Sequence, residues 1–286
     1  MTTPVRKIPT RRVSLDEAFR TVPRHFMGEA DPVSSHFFAA LSATFPEGED
    51  FFVRSVRHYR DRIEAPELKR DVAGFIGQEA IHGREHRVFN ERLSEVGYTS
   101  KQVDRVVGRL IRWRERALPP ISNLAVTAAM EHFTATLAEL MLTNTEARSM
   151  FGDGPARDLF TWHALEESEH KAVAFDVYRS VGGSERTRIW TMKFVRVMTL
   201  ISLAVIMTSS LVKDPIIRRP RELWASFRRL WNSPWMSKQV WAQLHEYDRP
   251  GFHPNDIDTS AIVDEWQETL FGAQGSLKDS LLAGVA

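Results

Sequence analysis

From Asp31 onward the apolar positions fall into long helical stretches cut by proline and glycine, and no stretch reads as a strand. Asp31-Pro32 is a helix start, with Asp31 as N-cap and Pro32 in the first turn. That helix is expected to run through His36-Phe37-Phe38 to about Thr44. Pro46-Glu47-Gly48-Glu49 interrupts it, and a new helix runs from Glu49 towards Arg62. A third spans about Pro66 to Val96 and closes at Gly97. A shorter one, Ser100 to Leu118, ends at Pro119-Pro120. The next runs from about Ile121 to Met150, and another from Ala156 to Val181, stopped by Gly182-Gly183. After Pro215 the chain is broken by prolines and rich in tryptophan.

The pattern predicts an all-α protein: a four-helix bundle with additional N- and C-terminal helices. It divides into an irregular arm over 1–30, a bundle over 31–183 and an apolar helix over 184–213. A Trp-rich helical cover over 214–271 and a flexible tail over 272–286 complete it.

One segment departs from the amphipathic pattern. Val197 to Val212 (VMTLISLAVIMTSSLV) carries no charge, with Lys193 and Arg196 before it and Lys213, Arg218, Arg219 and Arg221 after it. As a helix it covers roughly 24 Å, short of a hydrocarbon core about 30 Å thick. A buried core helix is the first expectation, and contact with a membrane surface through 197–212 the second. A span is the least favoured.

The chemistry sits on the long helices. Glu79-Ala80-Ile81-His82 and Glu167-Ser168-Glu169-His170 each place a carboxylate and an imidazole three residues apart, on one helix face. Glu49 and Glu131 add one acid each. The order lone Glu, Glu-x-x-His, lone Glu, Glu-x-x-His is that of ferritin-like dinuclear metal bundles. The predicted ligands are therefore Glu49, Glu79, His82, Glu131, Glu167 and His170. Oxygen and imidazole donors suit two iron ions, with manganese or a mixed pair next and zinc less favoured. Glu79 and Glu131 lie among small and apolar residues, where an unpartnered acid is costly and a metal offsets that cost. His86, one turn past His82, and His163, four before Glu167, are candidates for catalytic proton transfer or for supporting the ligands. His132, beside Glu131, points elsewhere.

Composition narrows the chemistry. The 286 residues contain no cysteine, which excludes disulfides, thiolate metal sites and cysteine nucleophiles. A net charge of +1 gives no sign of a nucleic-acid partner. The basic start, Met1 to Ser14, lacks an apolar core, so no secretory signal is expected and a cytoplasmic location is, with the inner membrane face as an associated surface.

The strings FPEGEDFFVRSVRHY, FIGQEAIHGREH, AAMEHFTATLAE, WHALEESEHKAVAFDVY and RPGFHP resemble the bacterial proteins described as predicted metal-dependent hydrolases, over about Phe26 to Pro254. The resemblance implies a ferritin-like bundle with a dinuclear centre on the six residues named above, and an apolar segment after the last ligand helix. It assigns no role to His253.

Three functions compete. The favoured expectation is a di-iron enzyme that activates dioxygen to oxidise a hydrophobic or small organic substrate, served by an electron donor protein. The alternative is a dinuclear hydrolase acting through a metal-bound water, with His86 or His163 as proton shuttle. The third is a non-catalytic metal-binding helical protein. Self-association into a homo-oligomer is compatible with each.

Overall fold

A computed structural model describes residues 8–282, and among these the chain is all-α: no strand forms, only an isolated bridge between Val13 and Leu281. Four long helices make the centre. These are α2 (Pro32–Arg57), α3 (Pro66–Glu95), α5 (Pro120–Thr143) and α7 (Pro155–His170), with a short α1 (Asp16–Phe19) before them. α2 packs on α3 and α5 on α7, and the two pairs close on each other. α4 (Ser100–Ala117) lies against α2.

The start of α2 is as expected: Asp31 accepts a hydrogen bond from Ser34 N–H at 2.9 Å, and Pro32 stands in the first turn. The predicted break at Pro46 does not occur. α2 continues unbroken to Arg57, with Pro46 inside it. Proline has no N–H for the carbonyl four residues back. Asn90 of α3 supplies the missing donor, its Nδ2 giving a hydrogen bond to Ser42 O at 2.8 Å. Glu49 is consequently a buried mid-helix residue and does not start a helix.

Two other expected helices are each cut in two. Asn144 ends α5 and, by accepting from Ala147 N–H, caps the short α6 (Thr145–Ser149). α7 ends just past His170, and α8 (Val173–Ser180) follows.

The apolar segment forms α9 (Glu185–Leu211), which by length and composition could cross a membrane. It is not the buried core helix first expected: only 22% of its most apolar 18-residue window is buried. One stripe, including Arg188, Met192, Val195, Arg196 and Leu203, faces the protein. Its two buried arginines are spent on the C-terminal segment. Arg188 donates to Tyr247 O and Arg249 O, and Arg196 to Leu244 O and Asp248.

Beyond α9 come α10 (Pro220–Trp231), α11 (Lys238–Glu246) and α12 (Ser260–Phe271), with α11 on α5 and α12 on α7. Residues 272–282, expected to be flexible, instead fold onto the N-terminal arm. Ser14 N–H donates to Ser280 O at 2.9 Å, Leu282 N–H donates to Arg12 O at 2.8 Å, and Leu277 is buried. The last four residues of that expected tail lie outside the described part.

The arm itself crosses α3 at a notch. A Cβ on Gly74 would stand 2.6 Å from Ile8 Cβ and 2.7 Å from Ile8 O, so only glycine lets the arm lie this close. That approach is what delivers Arg11 to the bundle.

Candidate metal centre

α2 contributes Glu49, α3 Glu79, His82 and His86, α5 Glu131, and α7 His163, Glu167 and His170, and all eight side chains are buried. The structure brings the six expected ligands together. His170 Nε2 lies 3.0 Å from Glu79, 3.4 Å from Glu131 and 3.5 Å from Glu167. His82 Nδ1 lies 4.0 Å from Glu79 and 3.9 Å from Glu167. Two sets of donor atoms gather within 4.8 Å: Glu79, Glu167 and His170, and Glu49, His82 and His163. His163, expected as a proton shuttle or supporting group, thus stands among the donors, 2.9 Å from Glu167 and 3.6 Å from Glu49. Room for Glu49 comes from Gly83, whose Cβ, if present, would sit 3.3 Å from Glu49 Oε2.

The decisive feature is what these atoms lack. Both oxygens of Glu49, Glu79 and Glu131, together with His82 Nδ1 and His170 Nε2, find no hydrogen-bond partner among the described residues. A buried polar atom left unpaired costs roughly 1–3 kcal/mol, and here they all turn to one place. A pair of divalent ions would satisfy them together and balance four carboxylate charges.

Each imidazole is held by its other nitrogen. His82 Nε2 is 3.0 Å from Glu166 Oε2, and Arg11 Nη1 donates to Glu166 Oε1 at 3.0 Å. His170 Nδ1 is 2.8 Å from Gln78 Oε1, and Gln78 Nε2 donates to Glu169 at 2.6 Å. Arg11 also binds Glu169, at 2.6 Å. His163 Nδ1 is 2.7 Å from His86 Nε2, and His86 Nδ1 is 2.8 Å from Ser42, which donates to Asn90 at 2.9 Å. With each outer nitrogen carrying the proton, His82 Nδ1, His163 Nε2 and His170 Nε2 offer bare lone pairs inward, the arrangement that metal-ligating histidines use.

Without a cation the site is electrostatically unhappy. Burial, then repulsion from Glu79, Glu167 and Glu131, pushes Glu49 well above the usual carboxylate range. Burial followed by Glu167 and Glu79 does the same to Glu131, and burial raises Glu79 too. For Glu167 burial is outweighed by His170 and His163, which hold it well below that range. His170 is raised well above its ordinary value because Glu167 and its fellow carboxylates overcome burial. Burial holds His82 and His86 low. Burial and crowding of the carboxylates thus both favour positive charge at this point.

The expected outliers also have places. His132 is buried away from the centre, with Nε2 3.0 Å from Gln243 O. His253 caps the turn at Pro254 and sits 2.8 Å from Asp176. Sequence reasoning missed Arg11, Gln78, Ser42 and Asn90. Nothing in an isolated arginine, glutamine, serine or asparagine marks it. The crowding of Glu166 and Glu169 around Glu167 was the one available sign that α7 carries more than ligands.

A small apolar chamber of about 40 Å³ borders the centre, lined by Phe38, Phe45, Met141 and Phe160 and reaching His163 and Glu167. A much larger groove of about 670 Å³ runs between α4, α5 and α9. Leu41, Phe45, Thr134 and Leu137 line both.

An all-α chain with converging, unpartnered glutamate and histidine donors belongs to the class of metal-binding helical proteins. The chain is a member of the family described as predicted metal-dependent hydrolases, whose model matches residues 9–258. Neither a curated protein nor a solved structure matches it.

Proposed function

We propose that this chain is a ferritin-like dinuclear metal-dependent hydrolase acting on a substrate with an apolar chain. The observation that carries the reading is the set of unpartnered inward-facing donors at the edge of an apolar chamber. Glu49, His82 and His163 would hold one ion and Glu79, Glu167 and His170 the other, with Glu131 on the side of the second. A bound pair of divalent ions would lower the pKa of a water and polarise the carbonyl or phosphoryl oxygen beside the bond to be cut. The family description moves hydrolysis ahead of the oxidation expected from the carboxylate and imidazole ligand set.

The chain's own groups do the rest. Thr134 Oγ1 donates to Glu167 Oε2 and fixes that carboxylate. His86 acts as a positioning residue, accepting from His163 Nδ1 so that Nε2 stays bare. Phe38, Phe45, Met141 and Phe160 hold the apolar part of the substrate and exclude bulk water.

The test is metal analysis of protein purified without chelator or added metal, followed by hydrolysis of nitrophenyl esters of increasing chain length. About two zinc or manganese ions per chain, with hydrolysis that rises with chain length and disappears in Glu131→Gln, is the expected result. A second reading, oxidation by dioxygen at two iron ions, is favoured by the aromatic and aliphatic side chains that make up most of the chamber's lining. Two irons per chain, an absorption band that develops in air and oxygen uptake without ester hydrolysis would establish it instead. Protein that binds no metal sinks both.

A further inference from the structure

We propose that the face formed by α4 and α9 docks on an anionic lipid bilayer, with the groove between them opening towards the acyl chains. The two helices leave a continuous set of large apolar side chains uncovered. Trp113 is 66% exposed, Val205 62% and Leu110 61%, with Val106, Ile201 and Phe194 beside them. Most of these also line the 670 Å³ groove. An apolar surface of this kind, rimmed by charge, marks an interaction site and not a normal monomer surface.

Charge selects the occupant. Residues 100–118 carry six basic side chains (Lys101, Arg105, Arg109, Arg112, Arg114, Arg116) against Asp104 and Glu115, a balance of +4. The whole chain is only +1, so the remainder is −3. Lys101, Arg105, Arg109 and Arg116 are exposed and make no ion pair with a described residue. On α9, Lys193 lies over the exposed Trp190 ring at 5.2 Å. Apolar residues flanked by tryptophan and by lysine or arginine are the composition of helices lying in a membrane interface. A second copy of the chain fits less well, because a two-fold contact would set this cationic rim against itself. Crossing the bilayer fits least, since Arg188 and Arg196 tie α9 to the C-terminal segment.

The groove gives docking a consequence. It shares Leu41, Phe45, Thr134 and Leu137 with the chamber at Glu167 and His163, so a chain entering from the bilayer would come up against the wall of that chamber. The inference stands apart from the reaction class, because vesicle binding is read without a substrate.

The experiment is co-sedimentation of the full chain with phosphatidylcholine vesicles, with and without phosphatidylglycerol. Binding to the anionic vesicles is expected, and Arg105→Glu with Arg109→Glu should weaken it by at least about tenfold. Leu110→Asp with Val205→Asp should abolish that binding, while melting temperature and metal content stay at the parent's values. Three results would overturn the proposal. These are no binding by the parent, undiminished binding by the double-aspartate variant, and a concentration-dependent dimer that the same variant disperses.

Discussion

The metal centre and the cluster of His25, His36 and Asp214 look alike by distance alone. Both gather histidine and carboxylate donors within 4.8 Å. They differ in what is left over. In the cluster Asp214 Oδ2 is 2.9 Å from His25, 3.1 Å from His36 and 3.3 Å from the Arg24 guanidinium. Its other oxygen takes Ile216 N–H at 2.8 Å, and Ser210 meets His36 Nδ1 at 3.1 Å. One carboxylate already serves three partners, one of them a fixed cation. In the centre four carboxylates face inward, and six of their oxygens have no hydrogen-bond partner among the described residues, with only imidazoles as ion-pair neighbours. Proximity of donors therefore does not make a metal site; unspent donors do.

The sharpest way to break this contrast is to remove a donor from each. Glu167→Ala should lower metal content from about two ions per chain to near none, while Asp214→Asn leaves it unchanged, both read by elemental mass spectrometry. Metal at about a hundred times its Kd stabilises a fold by about 2.7 kcal/mol, and Glu167→Ala should lose that increment in thermal unfolding. Metal uptake should also release protons, since burial and the neighbouring carboxylates favour the protonated forms of Glu49 and Glu131, and Glu167 favours that of His170. Titration calorimetry in buffers of different ionisation enthalpy measures this, and uptake with no proton release would contradict the assignment.

A smaller effect is expected from Arg11. Burial pushes Glu166 up to about 8 even with Arg11 at 3.0 Å. Arg11→Met removes the charge that keeps this carboxyl near ionisation, and so weakens the acceptor for His82 Nε2–H. It also takes the cation from Glu169, which orients Gln78 and through it His170, and leaves that carboxylate to Gln267 and Gln78 alone. Metal affinity should fall about 10- to 100-fold, the usual cost of losing such a partner, with the helical content of the protein unchanged.

The ligand helices were legible because their signal is local. Glu-x-x-His at helical spacing depends on nothing but the helix, and the structure gathers the four residues named from it with the lone acids Glu49 and Glu131. What failed was every inference that depended on a distant residue. Pro46 reads as a helix end until Asn90, 44 positions on, is seen to bond Ser42 O. Likewise Val197 to Val212 reads as core until its surroundings prove to be only one stripe of contacts. Asn90→Leu tests the first case. It removes the substitute donor and the Ser42 acceptor together and should destabilise the fold by about 2 kcal/mol in urea unfolding. Pro46→Ala restores the backbone N–H and should recover part of that loss.

The smallest effect belongs to the saturated cluster. Burial, only partly offset by Asp214, lowers His36 from 6.5 to about 4. The unfolded chain therefore takes up a proton near pH 6.5 that the folded chain refuses until about pH 4. Stability is at its full value above pH 6.5 and falls as the pH drops through that window. At pH 5.5 the loss comes to about 1 kcal/mol. Asp214, which burial would raise but backbone and histidine hydrogen bonds bring down to about 2, adds a further loss only below pH 4. His36→Gln keeps a side chain able to donate to Asp214 but cannot titrate, so its stability should decline less than the parent's from pH 6.5 to 5, by the His36 contribution. Its metal content should equal the parent's, because no atom of this cluster faces the centre. Metal lost along with the pH slope would mean that the two clusters are coupled, and the distinction between spent and unspent donors would no longer separate them.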